Sequence, residues 1–377
     1  MKLGITVGVP KETGAGETRV AATPDSIKRL VKYGFDLHIE QGAGALAGFP
    51  DEEYEKVGAQ IVSTKEAWAG HLVAKVAPPS QQEIAALNSG VMIVSLLEPF
   101  RNIPLLEWFA QNKVDALALE AIPRTSRAQP MDVLSSQAGI AGYRAVLEAA
   151  HHYGRFFPMM MTSAGSAKAT KVTVLGAGVA GLQAIATARK LGAIVEAYDV
   201  RPETREQIQS LGAKYIDIQL EESGNGQGGY AKELSEESKQ KLQAALDERL
   251  SKSDIIISTA NVPGRKAPTL VSESVVRNMR CGSVIVDMAT PSGGNCPLSK
   301  PDEIVDINGV KIVGHTNYPA MMATDSSNFF ARNLVSLLEL FVKEREPGSA
   351  TFVVNLEDEI IESSLLVHNG VLRIKRS

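Results

Sequence analysis

Arg124, Gln129, Asp132 and Ser135 lie close together in a proline-bearing polar stretch, EAIPRTSRAQPMDVLSSQAGIAG, spanning residues 120–142. A guanidinium, an amide, a carboxylate and a hydroxyl supply fixed donors and acceptors, a set suited to orienting a ligand in a cleft. The same side chains also fit a plainer use, with Asp132 or Ser135 capping the start of a helix. A second set lies at Gly176, Gly178 and Gly181, which spell G-x-G-x-x-G between the β-branched run Val172–Leu175 and a helix-forming stretch. The first glycine permits a tight turn, the second lets a pyrophosphate approach the backbone, and the third lets helix pack close to strand. Asp199 follows a second apolar run, Ile194–Tyr198, and stands 21 residues beyond Gly178, where a carboxylate accepts from adenosine ribose hydroxyls. Strand, turn, helix, strand and acid agree on a dinucleotide site. Val179 and Ala180 at the helix start, Val200 and Arg201 after Asp199, and Ala260 past the run Ile255–Thr259 complete the candidate nucleotide contacts. The charge of Asp199 disfavours a 2′-phosphate and so favours NAD(H), a preference that Arg201 softens.

Other chemistry-bearing residues carry weaker signals. SGNGQGGYAK, residues 223–232, reads as a glycine-rich mobile loop whose Tyr230 closes over a nucleotide, or else as a plain surface loop. SGGNCP, residues 292–297, follows a strand ending near Asp287 and is placed to line the nicotinamide side of the site. Arg19 and Lys75 each stand near a strand end, where surface salt bridging is the expected use. The six histidines show no metal-ligand spacing, and Met159, Met160 and Met161 read as gap-filling core residues.

The elements that must position these groups alternate. Strands are expected at Leu3–Val9, Phe35–Glu40, His71–Ala77, Val91–Leu97 and Val114–Leu119, and helices at Pro24–Tyr33, Ser80–Leu87 and Pro104–Asn112. Residues 120–142 break the pattern as a functional loop, with helical periodicity resuming over Tyr143–Tyr153. Beyond Asp199 come a helix at Pro202–Ser210, a strand near Lys214–Ile218, a helix at Leu234–Leu250, a strand at Ile255–Thr259, a helix at Ser272–Met279, a strand at Ser283–Met288 and the hairpin-like DINGVKIVG. Ala323–Glu346 reads as one helix, and residues 350–377 as strands around the turn signal Asn369-Gly370. The fold class is α/β, with two doubly wound, mostly parallel-sheet domains flanking a cleft.

At 377 residues, two domains are the natural organisation. A net charge of -4, with no basic stripe, argues against nucleic acid as a partner. Cys281 and Cys296 are too few for a disulfide framework or a zinc site and fit a reducing cytosol. No apolar run has the length of a membrane helix.

The opening GVPKETGAGETRVAATP resembles the signature shared by alanine dehydrogenases and the soluble NAD(H)-binding alpha subunits of proton-translocating nicotinamide nucleotide transhydrogenases. The resemblance continues through PRTSRAQPMDVLSSQAGIAGYRAV, GAGVAGLQAIATARKLGA, GGYAKE, VPGRKAP, GSVIVDMA, SGGNCP and VGHTN, over essentially the whole chain. It implies a first domain of residues 1–133 and 318–377 and a Rossmann NAD(H)-binding domain of residues 134–317. The carboxylate- and carbonyl-binding Arg and Lys of alanine dehydrogenases match Arg19 and Lys75, whereas their catalytic His and Asp fall at Leu97 and Pro291. Amino-acid oxidation needs those proton transfers; hydride passing between two nicotinamides needs only that the rings be held in contact. The departures favour the transhydrogenase side, with an alanine-dehydrogenase-like oxidoreductase as the alternative.

On that resemblance Gln129 orients the dihydronicotinamide or its ribose toward the incoming ring, Arg124, Asp132 and Ser135 fix the carboxamide and ribose, and Tyr230 is the mobile-loop tyrosine. Pro130 replaces a small polar residue of the family and stiffens the loop beside Gln129. A single dinucleotide fingerprint implies that NADP(H) binds a partner chain, and the resemblance implies that this is a beta subunit and that a membrane-spanning subunit passes protons. A homodimer, peripheral on the cytoplasmic face of the inner membrane, is also implied.

Overall fold

Short apolar runs bounded by turn residues become strands, and the amphipathic stretches between them become helices. The computed structural model describes residues 2–218, 236–262, 265–346 and 349–374. In chain order it begins with β1 (Thr6–Val9), α1 (Pro24–Tyr33), β2 (Asp36–Glu40), α2 (Asp51–Glu55), β3 (Gln60–Val62), α3 (Thr64–Trp68), β4 (Leu72–Ala74), α4 (Gln81–Ile84), β5 (Met92–Ser95), α5 (Ile103–Gln111) and β6 (Asp115–Ala118). Next come α6 (Val133–His152), a hairpin of β7 (Met160–Thr162) and β8 (Gly165–Ala167), β9 (Lys171–Leu175), α7 (Val179–Lys190), β10 (Ile194–Tyr198), α8 (Thr204–Ser210) and β11 (Lys214–Tyr215). The chain continues through α9 (Glu236–Leu250), β12 (Ile255–Ser258), α10 (Glu273–Asn278), β13 (Val284–Asp287), β14 (Ile304–Ile307) and β15 (Val310–Val313). It closes with α11 (Ala323–Glu339), a hairpin of β16 (Val342–Glu346) and β17 (Ser349–Phe352), α12 (Glu359–Ser364), β18 (Leu365–His368) and β19 (Val371–Leu372).

Two units result, Met1–Gln137 with Pro319–Ser377, and Ala138–Tyr318. The first holds an eight-stranded sheet in the order β19-β18-β6-β5-β4-β1-β2-β3, parallel from β6 to β3, with β18 antiparallel to β6. The order reverses between β1 and β4. The second holds a seven-stranded sheet in the order β11-β10-β9-β12-β13-β15-β14, parallel except for β14, and reverses between β9 and β12. Such reversal points open a crevice at the carboxyl ends of the strands. Ile255, Ile256 and Ile257 on β12 are all fully buried, the pattern of a central strand covered on both faces. Phe330, Leu334, Leu337 and Leu338 of α11, with Phe341 just beyond its end, lie in the core of the first unit with Val7, Ile27, Leu37 and Ile39.

Local signals located some boundaries well. α1 runs over Pro24–Tyr33 as read, because Pro24 opens it, Ser26 Oγ accepts from Thr23 N–H at 2.9 Å, and Gly34 closes it at φ 95°. Other readings are corrected. The break after Glu120 is shorter than expected, since α6 begins at Val133 and absorbs the second half of that stretch. The helix read as Ala323–Glu346 ends at Glu339, and Val342–Glu346 pairs with β17 as a strand. Pro347-Gly348, a turn signal in the sequence, favours a hairpin here over another helical turn. The tail read as strands also contains α12, capped by Asp358, whose Oδ1 accepts from Ile360 N–H at 2.9 Å. Met159 and Met161 are 64% and 76% exposed beside the β7–β8 hairpin, so they do not fill gaps in the core. No helix among the described residues is long and apolar enough to cross a membrane.

Candidate active site

In the second unit the glycine turn leaves the end of β9 at the reversal point and enters α7. Gly176 has φ 95°, and a Cβ there would lie 2.5 Å from Thr259 Oγ1. A Cβ on Gly181 would lie 1.9 Å from Gly176 O, so the turn and the helix touch backbone to backbone. Gly178 differs: it is exposed, its φ is -76°, and an added Cβ would meet nothing within 4 Å. The protein itself does not require glycine at that position. α7 has no side-chain cap, and the N–H groups of Val179 and Ala180 belong to the first turn, at the positive end of a 12-residue helix. A bare position before uncapped donors is what a pyrophosphate needs.

Asp199 stands at the end of β10, only 6% exposed. Its carboxylate accepts from Ala177 N–H at 2.7 Å and from Arg201 N–H, Nε and NH2 at 2.9 Å each. It therefore ties the glycine turn to β10, and Arg201 is held against it. Val200 is partly buried on the core of this unit. Ala260 O accepts from Asn295 Nδ2 at 2.8 Å, which joins the end of β12 to the SGGNCP stretch. Asp287, fully buried, gathers that stretch: its carboxylate accepts from Asn295 N–H at 3.1 Å, Cys296 N–H at 3.0 Å and Ser299 Oγ at 2.6 Å. Sequence reasoning missed Thr259, whose Oγ1 donates to Leu175 O and Gly176 O at 3.2 Å each, and Tyr215, whose hydroxyl donates to Asp199 O at 3.1 Å. Neither belongs to the local motif. Tyr230 and the loop around it lie outside the described residues. A cavity of about 760 Å³, lined by Lys171, Thr173, Glu196, Lys241, Arg249 and Lys252, opens near the starts of β9 and β10, and none of the candidate residues lines it.

In the first unit the polar stretch folds as a 3-10 turn, Ser126–Met131, followed by α6. Ala128 and Met131, three apart, point into the core at 1% and 6% exposure, which leaves Gln129 exposed between them. Asp132 N–H donates to Gln129 O at 3.2 Å. The Asp132 carboxylate accepts from Ser135 N–H at 2.9 Å and from Ser135 Oγ at 2.5 Å, so these two cap α6 together. Arg124 is exposed just before the turn. Pro130 fits inside the turn, and its carbonyl accepts from Asn333 Nδ2 at 2.8 Å.

Arg19 and Lys75 correct their surface reading, since they are 7% and 1% exposed. Lys75 Nζ pairs with Glu12 at 2.9 Å and Glu83 at 3.1 Å, and lies 5.6 Å from the Trp68 ring centre. Arg19 NH2 meets Glu17 at 2.6 Å, and its NH1 donates to Gln137 Oε1 at 2.9 Å. Charges persist in such burial only when paired. Burial foremost raises the Glu12 carboxyl above its ordinary range, against the lowering pull of Lys75. Leu97 is fully buried in apolar packing, and Pro291 sits in the short 3-10 turn Thr290–Ser292. Neither position carries a proton-transfer group. Among the described residues no cluster of His, Cys, Asp or Glu is arranged to hold a metal ion.

Family models match both halves of the chain: "Alanine dehydrogenase/PNT, N-terminal domain" over residues 8–141 and "Alanine dehydrogenase/PNT, C-terminal domain" over residues 145–375. The chain belongs to the alanine dehydrogenase/PNT family. Within this family of oxidoreductases it is 44% identical to an NAD(P) transhydrogenase alpha subunit of Rhodospirillum rubrum, over 97% of each chain. The crystal structure of transhydrogenase from Sinorhizobium meliloti superposes with a TM-score of 0.88 at 42% identity, covering 97% of this chain and 99% of that one. An L-alanine dehydrogenase structure matches with a TM-score of 0.79 at 28% identity, covering 98% and 96%. The alanine dehydrogenase/PNT fold is thus common to both kinds of enzyme, and the sequence stands nearer the transhydrogenases.

Proposed function

We propose that this chain is the NAD(H)-binding alpha subunit of a proton-translocating transhydrogenase, with residues 138–318 as its nucleotide domain. The observation that carries the reading is Gly178, a glycine the protein does not need, set before the uncapped N-terminus of α7 and beside the buried carboxylate of Asp199. In this reading the N–H groups of α7 hold the pyrophosphate and Asp199 accepts from the adenosine ribose. Val179, Ala180, Val200, Arg201 and Ala260 line the nucleotide, and Tyr230 closes over it. Gln129 orients the nicotinamide, while Arg124, Asp132 and Ser135 fix its carboxamide and ribose. The bound dinucleotide supplies a hydride, which passes to NADP+ on a beta subunit while a membrane-spanning subunit moves protons. Leucine at 97 and proline at 291 suit a reaction in which the protein itself moves no proton at the reacting carbon. The chain would sit peripherally on the cytoplasmic face of the inner membrane through its partners. Phe156, Met159 and Met161, exposed together around the β7–β8 hairpin, support a homodimer that covers them.

Equilibrium titration with NADH and NADPH, then addition of an NADP(H)-binding transhydrogenase subunit with NADP+, tests the reading. Tighter binding of NADH and hydride transfer only with the added subunit are expected. NADH formation from alanine and NAD+ by the chain alone would overturn it in favour of the alanine dehydrogenase alternative.

A further inference from the structure

The 3-10 turn bearing Gln129 is pinned from two sides within the first unit. On the inner side Asn333 of α11 holds Pro130 O, and Asn333 Oδ1 accepts from Ser136 Oγ at 2.7 Å. On the outer side Arg127 reaches across 231 positions of sequence to Asp358, with NH1 donating to Oδ2 at 2.8 Å and NH2 to Oδ1 at 2.5 Å. Asp358 also caps α12, and Ile360 and Ile361 of that helix are fully buried. The turn is thereby coupled to an element anchored in the core. A half-exposed ion pair adds little stability, but a two-pronged guanidinium–carboxylate fork fixes distance and plane together. The Asp358 carboxyl is held below its ordinary range, first by the Arg127 hydrogen bond.

We propose that Arg127 and Asp358 are positioning residues for hydride transfer, clamping residues 125–132 so that Gln129 is presented in one orientation. The proposal rests on the transhydrogenase reading above. Neither residue touches the reacting atoms; both act through the turn.

The test uses the full chain as Arg127→Met, Arg127→Lys, Asp358→Asn and the Met/Asn double variant. Asparagine at 358 keeps a capping oxygen for Ile360 N–H, so α12 is retained while the charge is lost. The first readout is amide exchange of Ala128 and Asp132, whose N–H groups bond within the turn to Thr125 O at 3.1 Å and Gln129 O at 3.2 Å. Exchange should speed up by about tenfold in each single variant and no further in the double, the mark of a coupled pair. The second readout is NADH-to-NADP+ transfer with the NADP(H)-binding subunit added. There kcat should fall about fivefold while the NADH dissociation constant stays within about twofold, because orientation and not binding is lost. Arg127→Lys, which keeps charge without the fork, should fall between. Unchanged exchange, additive effects in the double variant, or loosened exchange with undiminished kcat would each overturn the proposal. If the wild-type chain transfers no hydride, the functional reading fails and the positioning role with it, while the exchange data still report whether the clamp orders the turn.

Discussion

Among the described residues the Asp199 carboxylate accepts from Ala177 N–H and from the N–H, Nε and NH2 of Arg201, so its charge is already shared within the chain. Replacing it with asparagine removes the repulsion of a 2′-phosphate and frees the Arg201 guanidinium to meet one. NADH affinity should drop by about tenfold and the preference over NADPH should narrow, as read by fluorescence titration. An unchanged ratio would mean that Asp199 is structural only. Glu12 tests a different balance. It is nearly fully buried, and Lys75 stands between it and Glu83. Glu12→Gln leaves a buried ammonium with a single carboxylate and should cost about 3 kcal/mol, seen as a lower urea midpoint with an unchanged slope. A loss near zero would place the support of Lys75 on Glu83 alone.

The junction of β9 and α7 separates glycines that serve the fold from one, Gly178, that the proposed function assigns to the ligand. Gly181→Ala drives a methyl against Gly176 O, and the helix must move off the strand. We expect a loss of about 1–3 kcal/mol in unfolding free energy together with weakened nucleotide binding. Gly178→Ala meets nothing and keeps a φ open to any residue, so thermal stability should change little. Its NADH affinity should nonetheless fall by about tenfold or more, since the methyl enters the space left for the pyrophosphate. Melting temperatures compared with NADH titrations read this contrast, and full NADH binding by Gly178→Ala would remove the pyrophosphate from that position.

At the scale of the whole molecule, the eight-stranded and seven-stranded sheets repeat one plan, each reversing strand order beside its first strand. Their reversal points are used differently. In the second unit the glycine turn is left open, whereas in the first the ends of β1 and β4 lead into the ion pairs Glu12–Lys75 and Glu17–Arg19. The exposed methionines of the β7–β8 hairpin belong to this scale too, because an apolar patch in water favours association. If the proposed homodimer forms through this hairpin, Met159→Glu with Met161→Glu shifts the chain from dimer to monomer in light scattering while leaving NADH binding intact. A wild-type monomer, or a dimer indifferent to both changes, would remove the hairpin from any interface.

The sequence by itself determined the α/β class, the glycine turn with Asp199, the bounds of α1 and the absence of acid–base side chains at positions 97 and 291. These rest on neighbours within a few turns of chain or on side-chain identity alone, and local sterics and capping act there without help. Only the tertiary structure decided that Lys75 and Arg19 are buried, that Met159 and Met161 are not, and that the long helix stops at Glu339. It also decided that Arg127 finds Asp358 and that Thr259 holds the glycine turn. Each of these depends on which surface another segment covers or which carboxylate a distant segment delivers. Periodicity along one segment carries no record of that partner, because burial and pairing are set by folding in three dimensions.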